Sequence, residues 1–187
     1  MDPVTRNDLG ENERRWLLDL ARTTIAARFS GPTPDPSPPV SGPLLEHRGA
    51  FVTLTIDDEL RGCIGHVVGV APLWCAVRDN AISAAFRDPR FPALSEDEFR
   101  TVRIEISALS PLVRIHSLED VEIGRDGILV ERGTARGLLL PQVATSYGWD
   151  REAFLDHTCR KAGLEPGQWQ KPDVMISTFS AEVFSEE

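Results

Sequence analysis

The residues in this chain best placed to do chemistry are Arg61 and Cys63, which stand in the run Leu60-Arg61-Gly62-Cys63-Ile64-Gly65. In an extended strand, side chains alternate between faces, so Arg61, Cys63 and Gly65 are expected on one side and Leu60, Gly62 and Ile64 on the other. A guanidinium beside a thiol favours the thiolate, the form that attacks electrophiles or is reversibly oxidised. The glycines leave bare backbone that a ligand can approach closely. Two other readings fit the same residues: Cys63 as a small buried hydrophobe in a central strand, or Arg61 and the glycines as an anion site to which the thiol is incidental.

The neighbouring segments predict how this run is held. Phe51 to Ile56 alternates, Asp57-Asp58-Glu59 supplies a polar reversal, and the Cys63 strand is expected to return antiparallel to residues 51 to 56. Pro72 opens a helix running to about Phe86, whose Ala81, Ala84 and Ala85 imply close packing on the sheet. Arg87-Asp88-Pro89-Arg90-Phe91-Pro92 ends that helix and forms a second candidate surface, with Asp88-Pro89 as a turn and Phe91 as a plug in the alternative reading. Ser95-Glu96-Asp97-Glu98 is a capping box before a short helix, and Thr101 to Leu109 is a strand with one polar face.

Around this centre, Trp16, Leu17, Leu20, Ala21 and Ile25 recur at helical spacing and predict a helix from about 11 to 29. Residues 1 to 10 are expected to be frayed, and the Pro-rich stretch 30 to 43 to be a linker within the domain. Between 110 and 140, strands and turns are expected, with Asp126-Gly127 as a turn and strands at 128 to 131 and 138 to 140. Pro141 starts a short helix that carries Gln142, whose amide is a candidate ligand-binding group. Asp150 caps a helix to about Lys161 with Cys159 on its buried side, and residues 173 to 184 form a last strand.

A net charge of -9 over 187 residues argues against general binding to nucleic acid or anionic membranes. The three cysteines, Cys63, Cys75 and Cys159, are an odd number at unpatterned spacing, which fits a reducing cytoplasm. No signal peptide and no membrane span are expected. The histidines His47, His66, His116 and His157 are widely separated, and Cys63 and His66 at i and i+3 of a strand face opposite sides, so neither a metal site nor a cofactor is expected. Phosphate-loop, dinucleotide and nucleophile-elbow motifs are lacking.

The run LRGCIG, followed by Asp88-Pro89-Arg90-Phe91-Pro92 and by Gly137-Leu138-Leu139-Leu140-Pro141-Gln142-Val143-Ala144, resembles the AMMECR family, the A-proteins of the AmmeMemoRadiSam system. The likeness continues through Trp149, Phe154-Leu155, Cys159, Lys161 to Leu164 and the closing Phe179 to Phe184, covering nearly everything from about residue 12. It implies a single AMMECR-like α+β domain over 1 to 187, an antiparallel or mixed β-sheet flanked by helices. It also implies a larger and a smaller lobe with a cleft between them near the Cys63 strand. The partners it implies are a Memo-type protein and a radical-SAM protein. This chain departs from the family pattern at His66-Val67, where threonine or serine and an aromatic are more usual, and at Gly69-Val70, where proline is common.

Two functional classes follow. In one, the chain is a cytoplasmic enzyme or modification-pathway component whose catalytic residues are Cys63 and Arg61, with Gly62, Gly65, His66, Arg87, Arg90 and Gln142 lining a cysteine-containing cleft. In the other, it is a non-catalytic ligand- or protein-binding module in which Cys63 is structural. A base within hydrogen-bond reach of the Cys63 sulfur would separate them.

Overall fold

A computed structural model describes residues 9–31 and 42–186. The expectations of a frayed N-terminus and a Pro-rich linker therefore fall mostly outside the described residues. The chain is α+β and divides into two compact units, Met1–Leu109 with Glu182–Glu187, and Ser110–Ala181.

The first unit opens with α1 (Glu11–Ser30), which buries Leu17, Leu20, Ala21 and Ile25 as its spacing predicts. Strand β1 (Ala50–Ile56) and strand β2 (Glu59–His66) form the expected antiparallel hairpin, with Val52 opposite Ile64 and Thr53 opposite Cys63. Their connection is the two-residue turn Asp57-Asp58, where φ is 50° and 62°, the left-handed geometry that matches the twist of a tight hairpin. Helix α2 (Leu73–Phe86) and the single-turn α3 (Glu96–Phe99) follow, and then β3 (Arg103–Leu109), which pairs antiparallel with β1. One core joins the buried faces of α1 and α2 to Val52, Leu54, Ile104 and Ile106 of the strands.

Small residues set how close α2 comes to the sheet. A Cβ on Gly62 would lie 2.3 Å from the Ala84 carbonyl oxygen, so helix backbone rests directly on this glycine. Ala81, Ala84 and Ala85, all buried, make that approach possible.

The second unit contains β4 (Val113–Ile115), β5 (Asp126–Arg132), β6 (Ala135–Leu139), α4 (Pro141–Tyr147), α5 (Arg151–Lys161) and most of β7 (Met175–Ser185). Strand β7 pairs antiparallel with both β4 and β5, and β6 follows β5. Phe154, Leu155 and Cys159 of α5 pack on Ile128 and Val130 in a separate core. Asp126-Gly127, expected as a turn, instead begins β5, because Gly127 pairs with Phe179 and leaves room for its ring. The short β4 carried no sequence signal of its own: its three residues are mostly exposed and gain their identity from pairing with Thr178, Ser177 and Ile176. The last described residue, Glu186, returns to the first unit, where its N–H donates to the Ile104 carbonyl at 3.0 Å.

Candidate functional site

Cys63 lies on β2, which has β1 on one side and, among the described residues, no strand on the other. Since Gly62 and Ile64 face α2 and the core, Cys63 points to the opposite face of the sheet, beside Thr53. It is half-buried, and its sulfur and the Thr53 hydroxyl are 3.3 Å apart. On the next strand Glu105 is paired with Thr53, so a thiol, a hydroxyl and a carboxylate form one row across β2, β1 and β3.

The free edge of β2 at Cys63 is closed by side chains. The Cys63 N–H donates to Asp88 Oδ2 at 2.9 Å, and Arg90 Nη2 donates to the Cys63 carbonyl at 3.2 Å. The same guanidinium grips Asp88 through Nε to Oδ1 at 2.9 Å and Nη2 to Oδ2 at 2.7 Å. Asp88 and Arg90 together offer one acceptor and one donor, as a residue of an adjoining strand would. The hydrogen bonds from Arg90 outweigh burial and hold the Asp88 carboxyl well below the usual carboxylate range, with the Cys63 N–H adding to the effect. The corner that supplies both residues follows the last turn of α2, where Arg87 N–H still reaches the Ser83 carbonyl.

Arg61 has a different environment from the one alternation predicts. The hairpin register shifts between Leu54, opposite Gly62, and Thr55, opposite Leu60, leaving Arg61 as the unpaired residue of a β-bulge. Its side chain is 11% exposed and forms a two-pronged ion pair with Glu98, Nε to Oε1 at 2.8 Å and Nη2 to Oε2 at 3.1 Å. A third bond runs from Nη2 to the Pro92 carbonyl at 3.0 Å. Arg61, and next the Ser95 N–H, bring the Glu98 carboxyl down to about 2. Arg61 and Arg90 both stack on Phe91, 5.8 and 5.4 Å from its centroid, so one ring joins the two guanidinium groups. Among the described residues no hydrogen bond links Arg61 to Cys63.

The remaining candidates fall into three groups. Gly62 and Gly65 serve packing: a Cβ on Gly65 would meet the Phe51 ring at 2.3 Å. His66 ends β2 opposite Ala50, on the other face from Cys63, and is exposed, as is Arg87. Gln142 lies exposed in the second unit at the start of α4, its carbonyl accepting from Thr145 and Ser146. Among the described residues, no group of three or more histidine, cysteine or acidic side chains is placed to hold a metal ion. No helix among them is long and apolar enough to cross a membrane. Residues that sequence reasoning missed are Thr53 and Glu98, while Asp88 was placed in the second candidate surface without its contact to Cys63. The register of a two-residue hairpin would have placed Thr53 beside Cys63, whereas nothing in the Asp-Pro-Arg corner or the capping box signalled which strand each would reach.

An antiparallel sheet whose edge cysteine is locked by an Asp-Arg pair, within an α+β chain, defines the structural class. The sequence profile of the AMMECR1 family matches residues 18–184, and the chain belongs to that family. It is 43% identical to a protein of Methanothermobacter thermautotrophicus, over 96% of this chain and 97% of the relative. A protein of Methanopyrus kandleri is 46% identical over 94% of this chain and 89% of its own length. The crystal structure of an uncharacterised protein from Pyrococcus horikoshii superposes with a TM-score of 0.78 at 39% identity, covering 92% of this chain and 90% of that one.

Proposed function

We propose that the chain is a non-catalytic binding module of a modification pathway, acting in the cytoplasm. Its recognition surface is the face of β2 and β1 that carries Cys63 and Thr53. The observation that carries this reading is the commitment of Arg61. Its guanidinium is spent on Glu98, Pro92 and Phe91, so its role is to hold the corner against the strand. The only hydrogen-bond partner of the Cys63 sulfur among the described residues is the Thr53 hydroxyl, which is no general base at neutral pH. The partners that the family resemblance implies are the Memo-type and radical-SAM proteins of the same system.

A second reading, an enzyme in which Cys63 is attacked or reversibly oxidised, draws on one observation. The thiol is half-exposed, and the Arg90 guanidinium donates to the backbone carbonyl of the same residue. The test is titration of the Memo-type and radical-SAM proteins against wild type, Cys63→Ser and Thr53→Trp. The binding-module reading expects at least one partner to bind, Cys63→Ser to keep that affinity within about threefold and Thr53→Trp to lose about tenfold or more. Absence of binding by both overturns it, and so does an equal loss in Cys63→Ser.

A further inference from the structure

We propose that a second pocket, at the tip of the β1–β2 hairpin and independent of Cys63, binds a small zwitterion: an α-amino acid or short peptide with a free ammonium and a free carboxylate. The pocket has a volume of about 520 Å³ and lies wholly within the first unit, in the size range of small-molecule sites.

Besides the paired Arg22 and Glu186, its walls carry charges of both signs with no ion pair between them among the described residues. Asp57 and Asp58 of the turn line it together with Arg100 and Arg103. Asp57 and Asp58 have no hydrogen-bond or ion-pair partner among the described residues. Arg103 donates through Nε to the Glu186 carbonyl at 2.9 Å and through Nη2 to the Ser185 hydroxyl at 3.0 Å. Both partners are neutral, so among the described residues Arg103 has no ion-pair partner while its position is fixed. Arg100 has only an exposed contact with Glu96 at 3.5 Å, which leaves its guanidinium available.

Arg22 and Glu186, which also line the pocket, are largely engaged with each other and with backbone. Arg22 reaches Glu186 with two nitrogens and donates to the carbonyls of Phe99 and Val102. Specificity therefore comes from the turn carboxylates and the Arg103 side. Two anions and a tethered cation that face one cavity without meeting are complementary to a ligand that brings a cation to the first and an anion to the second. The Thr55 hydroxyl, on the residue paired with Arg103, also lines the pocket and adds a neutral donor and acceptor.

The test is calorimetric titration of the intact chain with L-alanyl-L-alanine as probe, and with acetate, methylammonium and inorganic phosphate as single-charge controls. The dipeptide is expected to bind about tenfold or more tightly than any control, and Asp58→Asn and Arg103→Gln each to weaken it by about tenfold or more. Asparagine tolerates the left-handed backbone of the turn, so Asp57→Asn and Asp58→Asn carry the test if Arg103→Gln perturbs the fold. No dipeptide binding, phosphate or acetate binding as tightly as the dipeptide, or smaller changes in the folded variants would each overturn the proposal.

Discussion

Asp88 accepts the backbone N–H of Cys63 at 2.9 Å, 25 residues along the chain, and so the corner after α2 takes the place of a missing strand at the edge of the sheet. The pair fixes the backbone of the one half-exposed cysteine on β2 without touching its sulfur. Replacing Asp88 by asparagine removes the charge that Arg90 grips and weakens the acceptor for Cys63. The expected loss is about 2 kcal/mol, or about 4–8 °C in Tm for a domain of this size. Hydrogen exchange at the Cys63 amide should accelerate beyond what the global loss explains.

The Arg61–Glu98 pair makes part of the stability depend on acid. The folded Glu98 carboxyl sits near 2, below the roughly 4.3 of an unfolded glutamate, so the folded state binds fewer protons between those values. The contribution is fully present above about pH 4.3 and is lost as pH falls toward about 2. Glu98 is 36% exposed, which discounts the pair to about 1–2 kcal/mol at neutral pH. Urea denaturation of Glu98→Gln should show that deficit at pH 7, with the two proteins converging as pH approaches the folded value.

Gly62 is a packing residue, and the smallest possible addition tests it. In Gly62→Ala the new methyl would meet the Ala84 carbonyl oxygen at 2.3 Å, a backbone atom that cannot swing away. Helix α2 must lift, at a cost of about 1–3 kcal/mol. Denaturant unfolding measures it, and an unchanged midpoint would show that the helix does not rest on this glycine.

How much of this was legible beforehand depended on the range of the interaction. The helices at Glu11–Ser30, Leu73–Phe86 and Arg151–Lys161 and the hairpin around Asp57-Asp58 follow from local periodicity and turn chemistry, and they were readable. The partners of Arg61 were not, because a single bulge breaks the alternation that put it beside Cys63. Asp88 read as part of a candidate surface or of an ordinary turn, and Glu98 as an ordinary cap. Each does serve locally, Glu98 accepting from the Ser95 N–H and Asp88 from the Arg90 N–H, and the second, long-range role of each left no mark on spacing. The pocket at the hairpin tip was equally hidden, since its walls come from α1, β1 and its turn, the stretch from α3 into β3, and Glu186 after β7.

The most direct test of the claim that Arg61 anchors the fold rather than activates the thiol is the alkylation rate of Cys63 in wild type and in Arg61→Gln, each folded at pH 7 and read by peptide mass spectrometry. Cys159 is the internal control for unfolding, since it is fully buried and burial raises its thiol pKa. The binding-module account predicts that Cys63 is modified in the native state and that its rate changes by about twofold or less when Arg61 is replaced. A slowing of about tenfold or more, with Cys159 still protected, would contradict it and return Arg61 to the role of thiolate stabiliser.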